Sequence, residues 1–130
     1  MLREMARVKV HRATVNEADL NYVGSITLPP ELTEALDLLH GEKVDVLDVT
    51  NGARLSTYVI VGSRPDWICI NGAAAHLIKP GDLVIIVSYA LMTDEEARRH
   101  TLRTAIVDEA NRIVRIEAAA AQPAERIHAP

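Results

Sequence analysis

The chain has 130 residues, 48% of them hydrophobic, and a formal net charge of −4. That length makes one domain with its own core and no need of disulfide staples, and an acidic balance without a basic stripe argues against a nucleic-acid surface. A lone cysteine, Cys69, rules out an internal disulfide and fits a reducing compartment; with no run of membrane-span length and no signal-like apolar segment at the N-terminus, the expected location is cytoplasmic.

There is no Phe and one Trp, so the core is expected to be aliphatic and rich in strands. Alternation around Val8-Lys9-Val10-His11 predicts a first strand within residues 3–15, with Lys9 and His11 on its polar face. Taken alone, that face reads as solvated surface. Asn16–Leu20 reads as a turn or a single helical turn opened by Asn16. The next stretch, Asn21 to Thr27, holds a Gly24-Ser25 bond whose plain meaning is a turn. A strand begins at Ser25 and is stopped by Pro29-Pro30. Glu31–Leu39 reads as an amphipathic helix burying Leu32, Ala35, Leu36 and Leu39, ended by Gly41.

Lys43–Thr50 reads as one strand with a bulge where its alternation changes phase. Asn51-Gly52 predicts a type I′ hairpin turn into a strand over Arg54–Val61. Trp67–Ile70 is a short apolar strand leading into the small residues Asn71-Gly72-Ala73-Ala74-Ala75. Lys79–Asp82 is a turn, and Leu83–Leu91 is a nearly continuous apolar strand, expected to be central. Thr93 caps a helix through Arg99, with acids in its first turn. Thr104–Val107 and Arg112–Ile116 predict a last hairpin. The domain is set at 1–117, and 118–130 is expected to be a disordered or loosely docked tail.

Gly41-Glu42-Lys43-Val44 and Gly81-Asp82-Leu83-Val84 echo one another: a glycine, an acid, then a strand. The echo points to two related halves and resembles the Gly-Asp turn of double-psi β-barrels. Short strands, tight turns and few helices favour a small β-barrel in any case.

Five histidines are scattered, and none has a second ligand at zinc spacing, so no metal site is expected. No phosphate loop and no nucleophile elbow is present. Cys69 lies in an apolar run and reads as a small buried hydrophobe. Arg54, Ser56 and Tyr58 alternate on one strand face: a guanidinium, a hydroxyl and a phenol suited to holding a carboxylate and moving a proton, or simply a solvated hairpin. The Asn71–Ala75 stretch either lets a ligand approach the backbone closely or packs tightly on a neighbouring strand.

Taken together, Met1-Leu2-Arg3, Lys9-Val10-His11-Arg12, Ala18 to Ser25, Thr50 to Tyr58, Asn71-Gly72-Ala73-Ala74-Ala75-His76 and Pro80-Gly81-Asp82 resemble, in order and spacing, the pyruvoyl-dependent L-aspartate alpha-decarboxylases. The resemblance runs from Met1 to about Glu96. It implies a mainly β double-psi barrel with a few short helices, and a proenzyme that cuts itself between Gly24 and Ser25 into a β chain 1–24 and an α chain 25–130. Gly24 would take up a strained geometry, and Thr57 would stabilise the oxyanion. Ser25 would become a pyruvoyl group, the built-in cofactor, which condenses with the substrate amine as a Schiff base, so that neither metal nor pyridoxal phosphate is used.

The resemblance further implies that Lys9 and Arg54 hold substrate carboxylate charge, with His11 in support, and that Tyr58 is the proton donor. Thr57, Asn71 and the backbone of Gly72, Ala73 and Ala74 would line the substrate pocket. It implies conversion of L-aspartate to β-alanine for pantothenate and coenzyme A. It also implies a homotetramer with sites between subunits, and it leaves room for an accessory maturation factor; no nucleic-acid or membrane partner is expected. Two alternatives remain: another acidic substrate such as glutamate, or a non-catalytic β-barrel module that is never processed. Asp66-Trp67 stands where smaller residues are expected, which bears on loop shape rather than chemistry.

Overall fold

A computed structural model describes residues 1–120. In chain order these form β1 (Leu2–Thr14), β2 (Glu17–Asp19), β3 (Ser25–Leu28), α1 (Pro30–Leu36), β4 (Lys43–Asp48), β5 (Arg54–Val61), β6 (Cys69–Asn71), a 3-10 helix (Gly72–His76), β7 (Leu83–Thr93), α2 (Asp94–Arg99), β8 (Thr101–Val107) and β9 (Ile113–Ala120). The strands run β2-β6-β3-β5-β4-β7-β1-β8-β9 across one sheet. The sheet curls on itself because β1 and β2 are one chain path. Beyond Thr14, the Val15 N–H reaches the Asp82 carbonyl (2.9 Å), and the Asn16 N–H reaches the Ile68 carbonyl (2.9 Å). The result is a small, mainly β barrel with few short helices.

The barrel is filled by the inward residues of alternating strands. Val8, Val10, Ile26, Leu28, Val44, Val46, Val59, Ile70, Val84 and Ile86 are all buried, joined by Leu32 and Leu36 from α1. No aromatic ring belongs to this core, as the composition led us to expect. β7 lies between β4 and β1, so its apolar run is paired along both edges.

The echo between the two halves is structural. In the first, Gly41 (φ +87) donates to the Val59 carbonyl (2.7 Å), Val59 donates to the Glu42 carbonyl (2.9 Å), and the Glu42 carboxylate accepts from the Leu39 N–H (3.0 Å). In the second, Gly81 (φ +92) donates to the Val15 carbonyl (2.7 Å), Val15 donates to the Asp82 carbonyl (2.9 Å), and the Asp82 carboxylate accepts from the Lys79 N–H (3.0 Å). Both glycines need the left-handed region that side chains resist. Two interlocked turns of the same design are what a double-psi arrangement requires.

Several local expectations are corrected. Asn16–Leu20 is not helical: Glu17–Asp19 pairs in parallel with Cys69–Asn71, so tertiary pairing overrides the cap signal at Asn16. α1 stops at Leu36, where Asp37 takes a left-handed φ of 51° and the Leu38 N–H reaches back to Thr33. Gly41 therefore serves the next turn rather than the helix end, and Leu39 is exposed. β4 has no bulge. Val44, Val46 and Asp48 alternate inward, and the apparent phase change is a buried carboxylate on the core face.

That carboxylate also shapes the following loop. Asp48 Oδ1 accepts from the Thr50 and Asn51 N–H groups (2.8 and 3.1 Å), and the Gly52 N–H binds the Asp48 carbonyl (2.8 Å). Gly52 alone of the Asn-Gly pair has a positive φ, so the connection is a longer Asp-capped loop and not a type I′ turn. The capped helix after Thr93 forms as expected, with a reciprocal Thr93–Glu96 capping box. β8 and β9 form the last hairpin, longer than expected, and β9 takes in residues 118–120 of the expected tail. The rest of that tail, 121–130, lies outside the described residues.

Candidate active site

Ser25 opens β3 and is fully buried, while residues 20–24 just before it are exposed at every position. Its hydroxyl donates to the Val23 carbonyl (2.9 Å) and accepts from Asn71 Nδ2 (3.0 Å). β3 and β6 are antiparallel with Ser25 directly opposite Asn71, so the pairing itself delivers the amide to the hydroxyl. Asn71 is also buried. Its Nδ2 donates to Thr27 Oγ1 as well (3.0 Å), and its Oδ1 accepts from the Cys69 thiol (3.1 Å). Burial, then the charges of Glu17 and Asp19, push the Cys69 thiol up to about 11, so it stays a neutral donor rather than a nucleophile.

In front of Ser25 lies an open pocket of about 430 Å³, lined by Gly24, by residues 55–58 of β5, and by Asn71, Ala73, Ala74 and Leu77. One chain thus gathers Gly24, Thr57, Tyr58, Asn71, Ala73 and Ala74 around the Gly24-Ser25 bond. The alanines follow β6 in the 3-10 helix, and their short side chains leave the space open. Gly72 is placed differently. It is buried at φ +70, and it packs beneath Gly24 without lining the pocket. Gly24 has no left-handed φ, and a Cβ added there would meet nothing within 4 Å; the left-handed φ in this corner belongs to Gly72.

Arg54 lines a neighbouring recess of about 210 Å³ with Asp45, Leu47, Leu55 and Ser56, and makes no ion pair among the described residues. Ser56 Oγ donates to Asp45 Oδ1 (2.6 Å). Lys9 shares the outward sheet face with this group: Lys9, Val87, Asp45 and Ser56 form one row across β1, β7, β4 and β5. Three strand spacings separate the Lys9 backbone from that of Ser56, about 14 Å.

His11 lies further still, in a cavity of about 670 Å³ with Arg12, Thr14, Leu83 and residues 106–110. Its Nε2 is buried without a partner among the described residues. Burial, then the charges of Lys9 and Arg12, lower its pKa, against the opposing charge of Glu117. Beside it Arg12 takes a φ of 61° at an irregularity of the β1–β7 pairing.

Sequence reasoning singled out Ser56 with Arg54 and Tyr58 but missed Thr27, Cys69, Leu55 and Leu77 as parts of this site. Thr27 could have been found, being two residues from Ser25 on the same strand face. The others depend on which strands meet, which no local pattern in this sequence states. Among the described residues, no group of three or more His, Cys, Asp or Glu is placed to hold a metal ion. No helix there is long and apolar enough to cross a membrane.

Comparison with known proteins gives the family. The family model for aspartate decarboxylase matches residues 1–114. The aspartate 1-decarboxylase of Corynebacterium efficiens is 56% identical over 124 residues, 95% of this chain and 91% of that protein. Aspartate 1-decarboxylase 1 of Frankia casuarinae is 60% identical over 115 residues, 88% of this chain and 75% of that protein. With a buried serine behind an exposed glycine, a floor of small residues, and a family match across most of its length, the chain belongs to the aspartate decarboxylase family.

Proposed function

We propose that the chain is a self-processing enzyme that removes the α-carboxylate of L-aspartate, giving β-alanine for pantothenate and coenzyme A. One observation carries this reading: the Ser25 hydroxyl is buried and held by the Asn71 amide, directly after an exposed Gly24 and at the edge of an open pocket.

Ser25 Oγ attacks the Gly24 carbonyl carbon. The C–N bond breaks as the amine of residue 25 takes up the hydroxyl proton, which leaves an ester. Asn71 Nδ2 steadies Oγ as it becomes anionic, and the Thr57 hydroxyl serves the Gly24 oxyanion. Loss of the residue 25 Cα proton then expels Gly24 as a carboxylate, and water replaces the amino group, which departs as ammonia. This leaves chains 1–24 and 25–130, the second headed by a pyruvoyl group.

The residues fit such a group: residue 25 is enclosed, and Ala73 and Ala74 leave room beside it for a substrate. When present, the group supplies an electron sink for the pair released with carbon dioxide. Arg54 binds a substrate carboxylate through its planar fork. Tyr58 returns a proton from its phenol to the carbon that has lost carbon dioxide. A homotetramer accounts for Lys9 and His11, a neighbouring copy presenting its β1 face to this pocket. Exposed Leu2, Tyr89 and Leu91 on β1 and β7 offer apolar surface for that contact.

The test measures carbon dioxide released from aspartate and from glutamate by purified protein. Release from aspartate alone is expected; preference for glutamate, or no release from either, overturns the reading. Tyr58→Phe is expected to cleave normally and to lose turnover by about 10²-fold or more. An unchanged rate removes Tyr58 as the proton donor.

A further inference from the structure

Gly72 is the glycine most tightly confined by its surroundings. A methyl group placed on it would stand 2.6 Å from the Gly24 Cα, 2.8 Å from the Gly24 nitrogen and 3.0 Å from the Tyr22 carbonyl oxygen. These are well inside carbon–carbon contact, so Gly24 would have to retreat by about 1 Å. Every residue from 20 to 24 is exposed, and apart from the Asn21 N–H bond to Asp19 Oδ1 (3.1 Å) and the Ser25 hydroxyl on the Val23 carbonyl (2.9 Å) few contacts hold this segment. The Tyr22 N–H makes only a long bond to Asp19 (3.4 Å). Ser25, by contrast, is tied firmly to β6 opposite Asn71. The bond to be cut therefore joins a residue fixed by the sheet to one whose position is set by contact with Gly72.

We infer that Gly72 is a positioning residue for self-cleavage, and that its bareness places the Gly24 carbonyl within reach of Ser25 Oγ. Contact with substrate is not its task, since the pocket is lined by Ala73 and Ala74 and not by Gly72. Bonds that depend on near-attack geometry lose about 10²-fold in rate for a displacement of 1 Å. After the cut, the end of chain 1–24 is free to move aside, so a side chain at 72 no longer matters to the site. Gly72 thus controls the single intramolecular step and leaves later turnover alone. This inference rests on the self-cleavage proposed above.

The test follows Gly72→Ala beside Gly41→Ala. Gly41 has a similar left-handed φ (+87 against +70), so alanine is strained alike at both, but a Cβ there meets nothing within 4 Å. The uncut fraction is followed by intact mass, and decarboxylation is expressed per cleaved chain. Gly72→Ala is expected to fold and to cleave about 10²-fold more slowly. Its cleaved fraction is expected to turn over within about twofold of wild type. Gly41→Ala is expected to cleave at the wild-type rate.

Three results overturn the inference: Gly72→Ala cutting as fast as wild type; cutting normally but turning over poorly once cut, which would make Gly72 a substrate contact; or failing to fold while Gly41→Ala folds, which would make the 72–24 contact structural. A wild-type chain that stays uncut would instead remove the proposed function itself.

Discussion

The two halves of the barrel share a turn and differ in what precedes it. In the first half, β3 leads into α1, whose Leu32 and Leu36 are driven into the core before the chain reaches Gly41. In the second, β6 leads into the 3-10 helix Gly72–His76, glycine and alanine up to His76, and the core is filled only by Ala75 and by Ile78 beyond it before Gly81. The turns after both are bonded alike, donor for donor. A helix with leucines closes the barrel on one side; the glycine and alanines that open the 3-10 helix leave a pocket on the other. The site arises where packing has been withheld, and Ser25 is held at its edge by Asn71 from the bare half.

Substitutions can break this division of labour. The largest effect belongs to Ser25→Ala, which removes the attacking oxygen. No cleavage and no carbon dioxide release are expected, with unfolding still cooperative. Cleavage persisting at residue 24 would assign the nucleophile elsewhere. Leu36→Ala, in the packed half, is expected to lower stability in urea by about 2–5 kcal/mol. While folded, it should still cut at nearly the wild-type rate. A loss of cleavage as large as that expected for Gly72→Ala would mean that the halves are not separable.

The smallest effect is electrostatic. Burial alone would raise the pKa of Glu42, but hydrogen bonds from Ser88, the Leu39 N–H and Arg7, together with the Arg7 charge, outweigh it and hold the pKa below its ordinary value. A lowered carboxylate binds its proton more weakly in the folded chain than in the unfolded one. It therefore adds stability above about pH 4.5, and that stability is lost as the pH falls through the folded value. Urea midpoints measured downward from pH 6 should fall more steeply for wild type than for Glu42→Gln. Equal slopes would show that the turn acid of the first half is not held as described.

Much of the barrel was legible in the sequence because its signals are local. The Val/Lys/His alternation in β1, the apolar run of β7 and the Thr93 capping box each follow from residue types within one turn or strand. The misses share a cause as well. Asp48 looked like a change of phase because a buried carboxylate breaks a pattern built on hydrophobicity, yet it caps the loop that Asn51-Gly52 was expected to make alone. Asp37 ended α1 in a conformation usually left to glycine, so the search for a glycine went too far. The short strand at Glu17–Asp19 exists only because Cys69–Asn71 lies beside it.

The site divides in the same way. Ser25, Thr57, Tyr58 and Asn71 could be singled out from ordered motifs. The Ser25–Asn71 bond, the thiol behind the amide and the close approach of Gly72 to Gly24 depend on the register of β3 against β6, which no single stretch carries. Lys9 and Arg54 stand three strands apart in the sheet, β1 against β5, a separation set by strand order that no local pattern states.

Intact-mass measurement of the purified chain after warm incubation tests the central claim most directly. Two species are expected, 1–24 and 25–130, the larger one blocked to Edman degradation at residue 25. A single uncut chain of 130 residues would contradict it.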